Sequence, residues 1–272
     1  MSQEPARLLI FGKGYTATRL TSSLPRGEWT IDATGQTARP GIIPLDDPTL
    51  PDLIARATHI LSSTPPADES DPVLDRYSHD LSATEAWVGY LSSTGTYGDT
   101  QGAWVDETAT VGPGRRGARI AADLGWQALD RPVAIFRLPG IYGPGRSAFD
   151  RLRQGKGQRI DAPGQVFSRI HVDDICAAVR AAMSGRASGI YNLADDEPAP
   201  ASDVTAYAAR LLGMVVPPLI PLEEARLSPA ARGFYTETRR VANGRMKRDL
   251  LPRLRYPDYR SGLAAIHMEE TQ

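Results

Sequence analysis

The chain has 272 residues, of which 41% are hydrophobic and 23% are charged, an ordinary composition for a globular protein of one large domain or two unequal lobes. Its 31 basic and 32 acidic residues give a formal net charge of −1, so no global field favours nucleic acid or a membrane surface. The first residues contain no apolar signal segment, and no apolar run approaches the roughly 18 to 20 residues that span a bilayer. The single cysteine, Cys176, excludes an internal disulfide. We therefore expect a cytoplasmic protein without nucleic-acid or membrane partners.

The first apolar run, Leu8 to Phe11, predicts a buried strand that breaks at Gly12. Gly12, Gly14 and Ala17 then fit the G-x-G-x-x-G/A pattern that places a dinucleotide pyrophosphate at a helix N-terminus. Gly12 allows the tight turn, Gly14 lets a phosphate approach the backbone, and Ala17 lets the helix pack on the strand. An ordinary strand–turn–helix corner is the alternative, but the position directly after a strand favours a nucleotide site.

A second strand is predicted over residues 28–33, where apolar and polar residues alternate. In dinucleotide folds the residues just past this strand bind the adenosine ribose: an acidic residue takes the 2′-hydroxyl, and an Arg accepts a 2′-phosphate. Asp32 lies inside the alternation, too early for this role, whereas Thr37 and Arg39 follow the strand. We therefore predict NADP rather than NAD, with a solvated loop charge as the alternative for Arg39.

Two further strands are predicted over residues 41–45 and 59–62. The first ends at Asp46, whose carboxylate suits either an adenine amino group or the cap of a following helix. The second runs into Ser63, Thr64 and two prolines, which force a turn where a cofactor would lie. No cysteine or carboxylate accompanies the histidines at metal-ligand spacing, so no metal site is predicted.

A fifth apolar strand, residues 87–91, runs into a segment rich in hydroxyl side chains that ends at Tyr97 and Gly98. Small polar groups at the carboxyl edge of a parallel sheet line the place where ligands bind in open α/β folds. The pattern then predicts helices over residues 118–129 and 202–212, strands over 133–137 and 190–193, and a breaker-rich loop over 138–145.

Five of these segments together resemble the extended short-chain dehydrogenase/reductase superfamily, in its NAD(P)-dependent epimerase/dehydratase branch. They occur in the family's order over residues 7 to 200, and they are Gly12–Ala17, Leu91–Gly98, Arg137–Pro144, Ile170–Ile175 and Tyr191–Ala194. The resemblance implies an α/β fold with a Rossmann-type doubly wound parallel sheet and a smaller C-terminal substrate lobe. We assign residues 1–140 with 171–198 to the dinucleotide-binding domain, and residues 141–170 with 199–272 to the lobe that caps the substrate.

The sequence departs from this family where protons are transferred. The family uses a Ser or Thr together with a Tyr-x-x-x-Lys helix, in which the Tyr is the general acid/base and the Lys lowers its pKa and holds the nicotinamide ribose. Ser93 matches the hydroxyl position. Aligning Asp123 with the acidic residue after the Lys puts Arg119 at the Lys position and Arg115 at the Tyr position. Arg115 cannot donate a proton near neutral pH, because guanidinium pKa values exceed about 12.

The resemblance carries three sets of site residues onto this chain. The predicted catalytic residues are Ser93, Tyr97 and Arg119. The predicted substrate-binding residues are Thr94, Tyr142, His171 and Arg239, the last in a basic run whose alternative is a solvated face. Tyr97, Tyr142 and His171 are the candidates for the missing proton donor, with ordering or packing roles as alternatives. The predicted cofactor-binding residues are Gly12, Lys13, Gly14, Tyr15, Thr16, Ala17, Arg39, Asp46, Ser63, Thr64, Pro65, Arg119 and Pro139.

Two functions of different classes fit these residues. The first is an NAD(P)-dependent oxidoreductase or epimerase with an atypical proton donor, acting on a small polar molecule such as a nucleotide sugar. The second is a non-catalytic NADP(H)-binding sensor, which the missing Tyr-x-x-x-Lys pair favours. Because Ser93, Tyr97 and His171 are retained, we expect the enzyme. The resemblance also implies a homodimer formed through the helix that carries Arg119.

Overall fold

The computed structural model describes residues 4–35, 40–67, 70–112 and 117–271. The strands are β1 (Ala6–Phe11), β2 (Trp29–Gly35), β3 (Ile43–Pro44), β4 (His59–Ser62), β5 (Trp87–Ser93), β6 (Trp104–Val105), β7 (Ala134–Leu138), β8 (Gly140–Tyr142), β9 (Arg159–Asp161), β10 (Arg169–His171), β11 (Gly189–Asn192), β12 (Leu219–Pro221) and β13 (Arg240–Val241). The helices are α1 (Tyr15–Ser22), α2 (Leu50–Arg56), α3 (Pro72–Ala83), α4 (Gly117–Gln127), α5 (Ala148–Arg153), α6 (Val172–Gly185), α7 (Ala201–Leu211), α8 (Pro229–Arg232), α9 (Gly244–Asp249) and α10 (Tyr259–Thr271).

A seven-stranded sheet with the order β11-β7-β5-β4-β1-β2-β3 is the framework of the fold. Strand β1 lies between β2 and β4 and runs parallel to both. Residues 8–11 are buried without alternation, as expected for a parallel strand covered on both faces. The strand order reverses next to β1, as in doubly wound folds, so the predicted Rossmann-type sheet is confirmed.

The chain divides into two compact units, and the first contains most of this sheet. Unit 1 comprises Met1–Thr96, Arg116–Arg137 and Ile175–Tyr191. Its core is formed by apolar residues of the central strands and of α2, α3 and α4. Helix α3 begins after Asp71, which accepts hydrogen bonds from the N–H groups of Val73 and Leu74 and so caps the first turn.

Unit 2 comprises Tyr97–Arg115, Leu138–Asp174 and Asn192–Gln272. It contains three short parallel strand pairs, β8 with β10, β9 with β12, and β6 with β13. One apolar cluster of this unit packs side chains of α5, α7 and α10 together with Tyr142. The domain division made from the sequence, at residues 140, 171 and 198, stays a prediction. In the part of the chain that the structure describes, no helix is long and apolar enough to cross a membrane.

Candidate functional site

The turn after β1 has a backbone that only glycine adopts without strain. Gly12 has φ +85°, and a Cβ placed on it would lie 2.7 Å from Thr64 Oγ1. Its N–H donates to Thr34 Oγ1 over 3.1 Å, so the turn is anchored to the end of β2. The predicted need for Gly12 in a tight turn is therefore visible in its conformation.

The start of α1 fits a phosphate group. Gly14 is the N-cap residue, and no side chain caps the helix. A Cβ on Gly14 would meet nothing within 4 Å, and Gly14 is exposed, so a ligand can approach the backbone there. Thr16 and Ala17 are buried under the first turn, which seats the helix against the sheet. An uncapped helix start with this open approach suits a dinucleotide pyrophosphate.

The ends of β2 and β4 lie next to the glycine turn. Lys13 donates its N–H to Thr34 O over 2.9 Å, and Ser63 donates its N–H to Phe11 O over 2.7 Å. Thr64 contacts Gly12, and Pro65 follows on the surface. The Ser62 hydroxyl, fully buried at the end of β4, makes no hydrogen bond to any described residue. The structure thus brings Gly12, the first of the predicted residues 12–17, next to Ser63 and Thr64 within unit 1.

Arg39, Asp46 and Pro139 are further predicted cofactor residues. Arg39 and Thr37 lie outside the described residues. Asp46 is exposed, whereas the neighbouring Asp47 accepts hydrogen bonds from the Thr49 N–H and hydroxyl, which lower the Asp47 pKa. Pro139 follows β7 directly and is half-buried.

Ser93 closes β5 and caps the turn that follows it. Its Oγ accepts the Gly95 N–H over 3.1 Å, and its carbonyl accepts the Thr96 hydroxyl over 3.0 Å. Ser93 remains half-exposed, while Thr94 is buried at the start of the same turn. Because the Oγ only accepts in this contact, the Ser93 hydroxyl proton stays available to a ligand.

Helix α4 carries Arg119 and is joined to the sheet by a buried ion pair. Asp123 accepts hydrogen bonds from Arg137 Nε and NH2 over 3.1 and 2.7 Å, and from the Ser92 hydroxyl. Half-buried Arg119 lies near the Tyr90 hydroxyl, where its charge lowers the Tyr90 pKa, although burial raises that pKa more strongly. Asp123 aligns with an acidic residue of the family, but the sequence does not predict that Arg137 and Ser92 are its hydrogen-bond partners. Arg115 lies outside the described residues.

In unit 2, two tyrosine hydroxyls are already bonded. Tyr97 is buried and donates to Asn192 Oδ1 over 2.8 Å. Tyr142 donates to Asp258 O over 3.2 Å, and burial raises its pKa far above the usual range. His171 packs edge-on to the Tyr142 ring, and its Nδ1 accepts the Asp173 N–H over 3.2 Å. Tyr97, Tyr142 and His171 therefore each have an ordering or packing contact within unit 2, and their role as proton donors stays a prediction.

The predicted anion-binding Arg239 has partners within unit 2. Its guanidinium donates to the Gly98 carbonyl and forms an ion pair with Glu237, with the nearest N–O distance 2.9 Å. The next residue, Arg240, donates to the Gly102 carbonyl and lines a cavity of about 290 Å³ together with Arg159. The predicted basic run contains Arg240, but the sequence does not predict that Arg240 and Arg159 line one cavity, because this depends on which loops fold together.

Asp195 is a buried carboxyl group that sequence analysis missed. It is 1% exposed, and its Oδ2 makes no hydrogen bond to a described residue. Burial raises its pKa to about 8, although the nearby Arg169 guanidinium and the Glu197 N–H oppose this rise. Across the described ranges, no group of His, Cys, Asp and Glu side chains has the arrangement of a metal site.

Comparisons with known proteins find relatives in sequence and in structure. No protein-family model matches the chain. A conserved protein of unknown function from Silicibacter pomeroyi DSS is 44% identical, with a TM-score of 0.89 and with 97% of this chain and 99% of that chain covered. A 3-diazoavenalumate denitrifying reductase from Streptomyces sp is 33% identical over an alignment of 168 residues, and 53% of this chain is covered. That match spans only 54% of the reductase.

More distant structures share the fold. Human epimerase family protein SDR39U1, solved with NADPH, is 17% identical with a TM-score of 0.72, and 96% of this chain and 99% of that chain are covered. A dTDP-glucose 4,6-dehydratase from Bacillus anthracis, solved with NAD, is 14% identical with a TM-score of 0.74, and 98% of this chain and 96% of that chain are covered.

Proposed function

This chain belongs to the family of the Silicibacter pomeroyi protein and has the extended short-chain dehydrogenase/reductase fold, and we propose that it is an NADP(H)-dependent oxidoreductase or epimerase of a small polar substrate. The observation that carries the proposal is the turn at Gly12 followed by the open, uncapped helix start at Gly14. When bound, the nicotinamide cofactor supplies or accepts the hydride. The chain's own residues hold the cofactor and manage the proton.

The cofactor is held from unit 1. Gly12 to Ala17 would hold the pyrophosphate together with Ser63 to Pro65, and Arg119 would hold ribose hydroxyls or a phosphate with its permanent charge. NADP is favoured over NAD because β2 ends at Gly35 without a carboxylate, while Asp32 lies in the strand interior opposite Leu9. Arg39 remains the predicted partner of a 2′-phosphate.

Ser93, Tyr97 and Arg119 are the proposed catalytic residues. The Ser93 hydroxyl donates to an oxygen of the substrate, since its Oγ is used only as an acceptor by Gly95. For Tyr97 to donate a proton, its hydroxyl must exchange the bond to Asn192 for one to the substrate. Thr94, Tyr142, His171 and Arg239 remain the proposed substrate-side residues.

A second candidate reaction needs no proton donor. In a reductive denitrification, a substrate carbon gains a hydride and loses N₂, which leaves with the electron pair of the C–N bond, so no protein group must supply a proton. Two observations favour it: the Tyr97 and Tyr142 hydroxyls are bonded within unit 2, and a reductase named for this chemistry is 33% identical over 168 residues. The non-catalytic NADP(H) sensor is the third candidate, because it also needs no proton donor.

Thermal unfolding with NADPH, NADH or neither, on wild type and Gly14→Val, tests the cofactor. A ligand at about 100 times its Kd adds roughly 2.7 kcal/mol to the free energy of unfolding, a shift of several degrees. We expect a larger shift with NADPH, and none in Gly14→Val, because a side chain there fills the open approach without touching the fold. No shift with either cofactor would overturn the proposal.

Single-turnover loss of NADPH absorbance then separates the candidate functions. Turnover with carbonyl compounds or nucleotide sugars supports the first, and turnover with an arenediazonium ion supports denitrification. Binding of NADPH without oxidation by any of the three classes supports the sensor.

A further inference from the structure

We propose that Arg169 and Asp195, both in unit 2, bind the carboxylate group of a monocarboxylate substrate. Because the ligand is taken to be the substrate, this step rests on the proposed function. The binding site itself needs no cofactor, since both of its residues belong to unit 2.

The backbone brings Arg169 and Asp195 next to each other. Asp195, which follows β11, donates its N–H to the Arg169 carbonyl at the start of β10 over 2.7 Å. In the parallel pairing of β8 with β10, Arg169 lies opposite Gly140, and His171 lies opposite Tyr142. Residues two positions apart in a strand point to the same face. Arg169 therefore shares a face of this strand pair with His171 and Tyr142, two of the predicted substrate-binding residues.

Two nitrogens of the half-buried Arg169 guanidinium have no hydrogen-bond partner among the described residues. NH1 donates to the Phe167 carbonyl over 2.8 Å, which leaves Nε and NH2. In Arg137 these same two nitrogens bind the two carboxylate oxygens of Asp123 over 3.1 and 2.7 Å. Arg169 therefore presents, without an internal partner, the pair of donors with which this chain holds a carboxylate elsewhere.

The Asp195 carboxyl group adds a third donor. Asp195 is 1% exposed, its Oδ2 makes no hydrogen bond to a described residue, and it forms no ion pair with Arg169. Burial raises the Asp195 pKa to about 8 against the opposing charge of Arg169, so the group carries a proton at neutral pH. A protonated Oδ2 donates a hydrogen bond, and an anionic oxygen is the acceptor that strengthens this bond most.

The charges around the two residues favour a monoanion. A cationic ligand would be repelled by Arg169. A dianion such as phosphate is disfavoured, because Asp196 and Asp258 contribute negative charge that adds to the rise of the Asp195 pKa. The two oxygens of a carboxylate match the Nε and NH2 donors of Arg169, and one of them can also accept the Asp195 proton.

Calorimetric titrations of the full chain with formate, acetate and benzoate test the site, with formamide, acetamide, benzamide and inorganic phosphate for comparison. We expect a carboxylate to bind, and its amide and phosphate to bind at least about tenfold more weakly. Arg169→Lys should weaken carboxylate binding about tenfold or more, because Lys keeps the charge but loses the paired donors. Arg260→Lys is the matched control and should bind as wild type, because Arg260 lies over the same Tyr259 ring but is paired with Glu197.

The pH dependence of binding tests the part played by Asp195. In wild type the Kd of the carboxylate should increase above about pH 8, by at most about tenfold per pH unit, as Asp195 loses its proton. Asp195→Asn keeps an N–H donor at every pH, so its Kd should stay constant from pH 7 to 9. The titratable and charged groups that face Asp195 are Arg169, Asp196, Asp258 and Tyr142.

Several results would overturn the proposed site. If none of the three carboxylates binds to wild type whose thermal unfolding shows it to be folded, water alone occupies the site. If an amide binds as tightly as its carboxylate, or Arg169→Lys binds as wild type, the Arg169 donors do not recognise a charge. An equal rise of Kd with pH in Asp195→Asn would exclude Asp195 as the titrating group.

The same titrations repeated with NADPH separate the site from the proposed function. We expect the carboxylate to bind in the presence of NADPH, because substrate and cofactor must be bound together. Competition between them would overturn the identity of the ligand as a substrate. Wild type that binds a carboxylate but not NADPH would overturn the proposed function, whereas wild type that binds NADPH but no carboxylate would overturn only the site.

Discussion

Asp195 is a single residue whose carboxyl group has lost nearly all contact with water. Its Oδ1 accepts the Glu197 N–H over 3.3 Å, while Oδ2 has no hydrogen-bond partner among the described residues. Burial raises the Asp195 pKa to about 8, Asp196 and Asp258 add to the rise, and Arg169 opposes it. The native state therefore keeps this carboxyl protonated at neutral pH, while the unfolded chain, with a pKa near 3.8, does not.

This difference predicts a pH dependence of stability. Because the folded pKa is raised, the stabilisation is fully present below about pH 3.8 and declines as the pH rises to about 8. The slope is at most about 1.4 kcal/mol per pH unit. Asp195→Asn mimics the protonated group. Its free energy of unfolding in urea, relative to that of wild type, should increase from pH 5 to 8 and stay constant above pH 8. A difference that stays constant from pH 5 to 9 would contradict the predicted titration.

At the scale of single residues, the sequence predicts backbone features that neighbouring residues determine. It does not predict contacts between residues that are distant in the chain. The tight turn at Gly12, with its positive φ, follows from a short motif, and the sequence predicts it. The Tyr97 hydroxyl, by contrast, bonds a residue 95 positions away, and the Tyr142 hydroxyl bonds one 116 positions away. The motifs identified both tyrosines, but their partners are set by the tertiary fold.

At the scale of elements, one carboxylate, that of Asp123, joins three of them. Asp123 of α4 binds Arg137 of β7 and the hydroxyl of Ser92 on β5, and the two charged side chains are 0% and 1% exposed. Gln127, one turn further along α4, donates to the same carboxylate over 2.6 Å. The ion pair therefore fixes α4, with Arg119, against β7, and the Ser92 hydrogen bond fixes it against β5, the strand that ends at Ser93.

Removing one partner of this pair should strongly destabilise the protein. Asp123→Ala leaves Arg137 buried without its carboxylate, and we expect a loss of about 3 to 5 kcal/mol in urea unfolding. Glu270→Ala is the matched control, because the Arg153–Glu270 pair is 45% and 25% exposed and should be worth no more than about 1 kcal/mol. Similar losses in both variants would show that burial does not govern these pairs.

The sequence predicts the long elements better than the short ones. Strand β4 has the predicted bounds, and helix α4, predicted over residues 118–129, spans Gly117–Gln127. The pairs β6 with β13 and β9 with β12 were not predicted. Each has only two or three residues per strand, too few for a period, and each joins segments far apart in the chain.

At the scale of the whole molecule, the relative of unknown function matches more of this chain than the relative whose name gives a reaction. The Silicibacter pomeroyi protein matches 97% of the chain, whereas the denitrifying reductase matches 53% of it. The fold is therefore shared over the entire chain, and any inference from the reductase concerns part of it. A measurement that reports on all of the chain at once is the appropriate test of where the cofactor binds.

Hydrogen exchange followed by mass spectrometry provides that measurement. The amides of Lys13 and Ser63 are hydrogen-bonded to Thr34 O and Phe11 O, so they exchange through local opening of the predicted cofactor site. A ligand that binds only the state in which these amides are hydrogen-bonded, present at about 100 times its Kd, slows their exchange up to about 100-fold. We expect NADPH to slow these amides, and to leave the β9–β12 pair of unit 2 unchanged because no predicted cofactor contact lies there. Gly14→Val should abolish the protection, and protection confined to unit 2 would place the cofactor elsewhere.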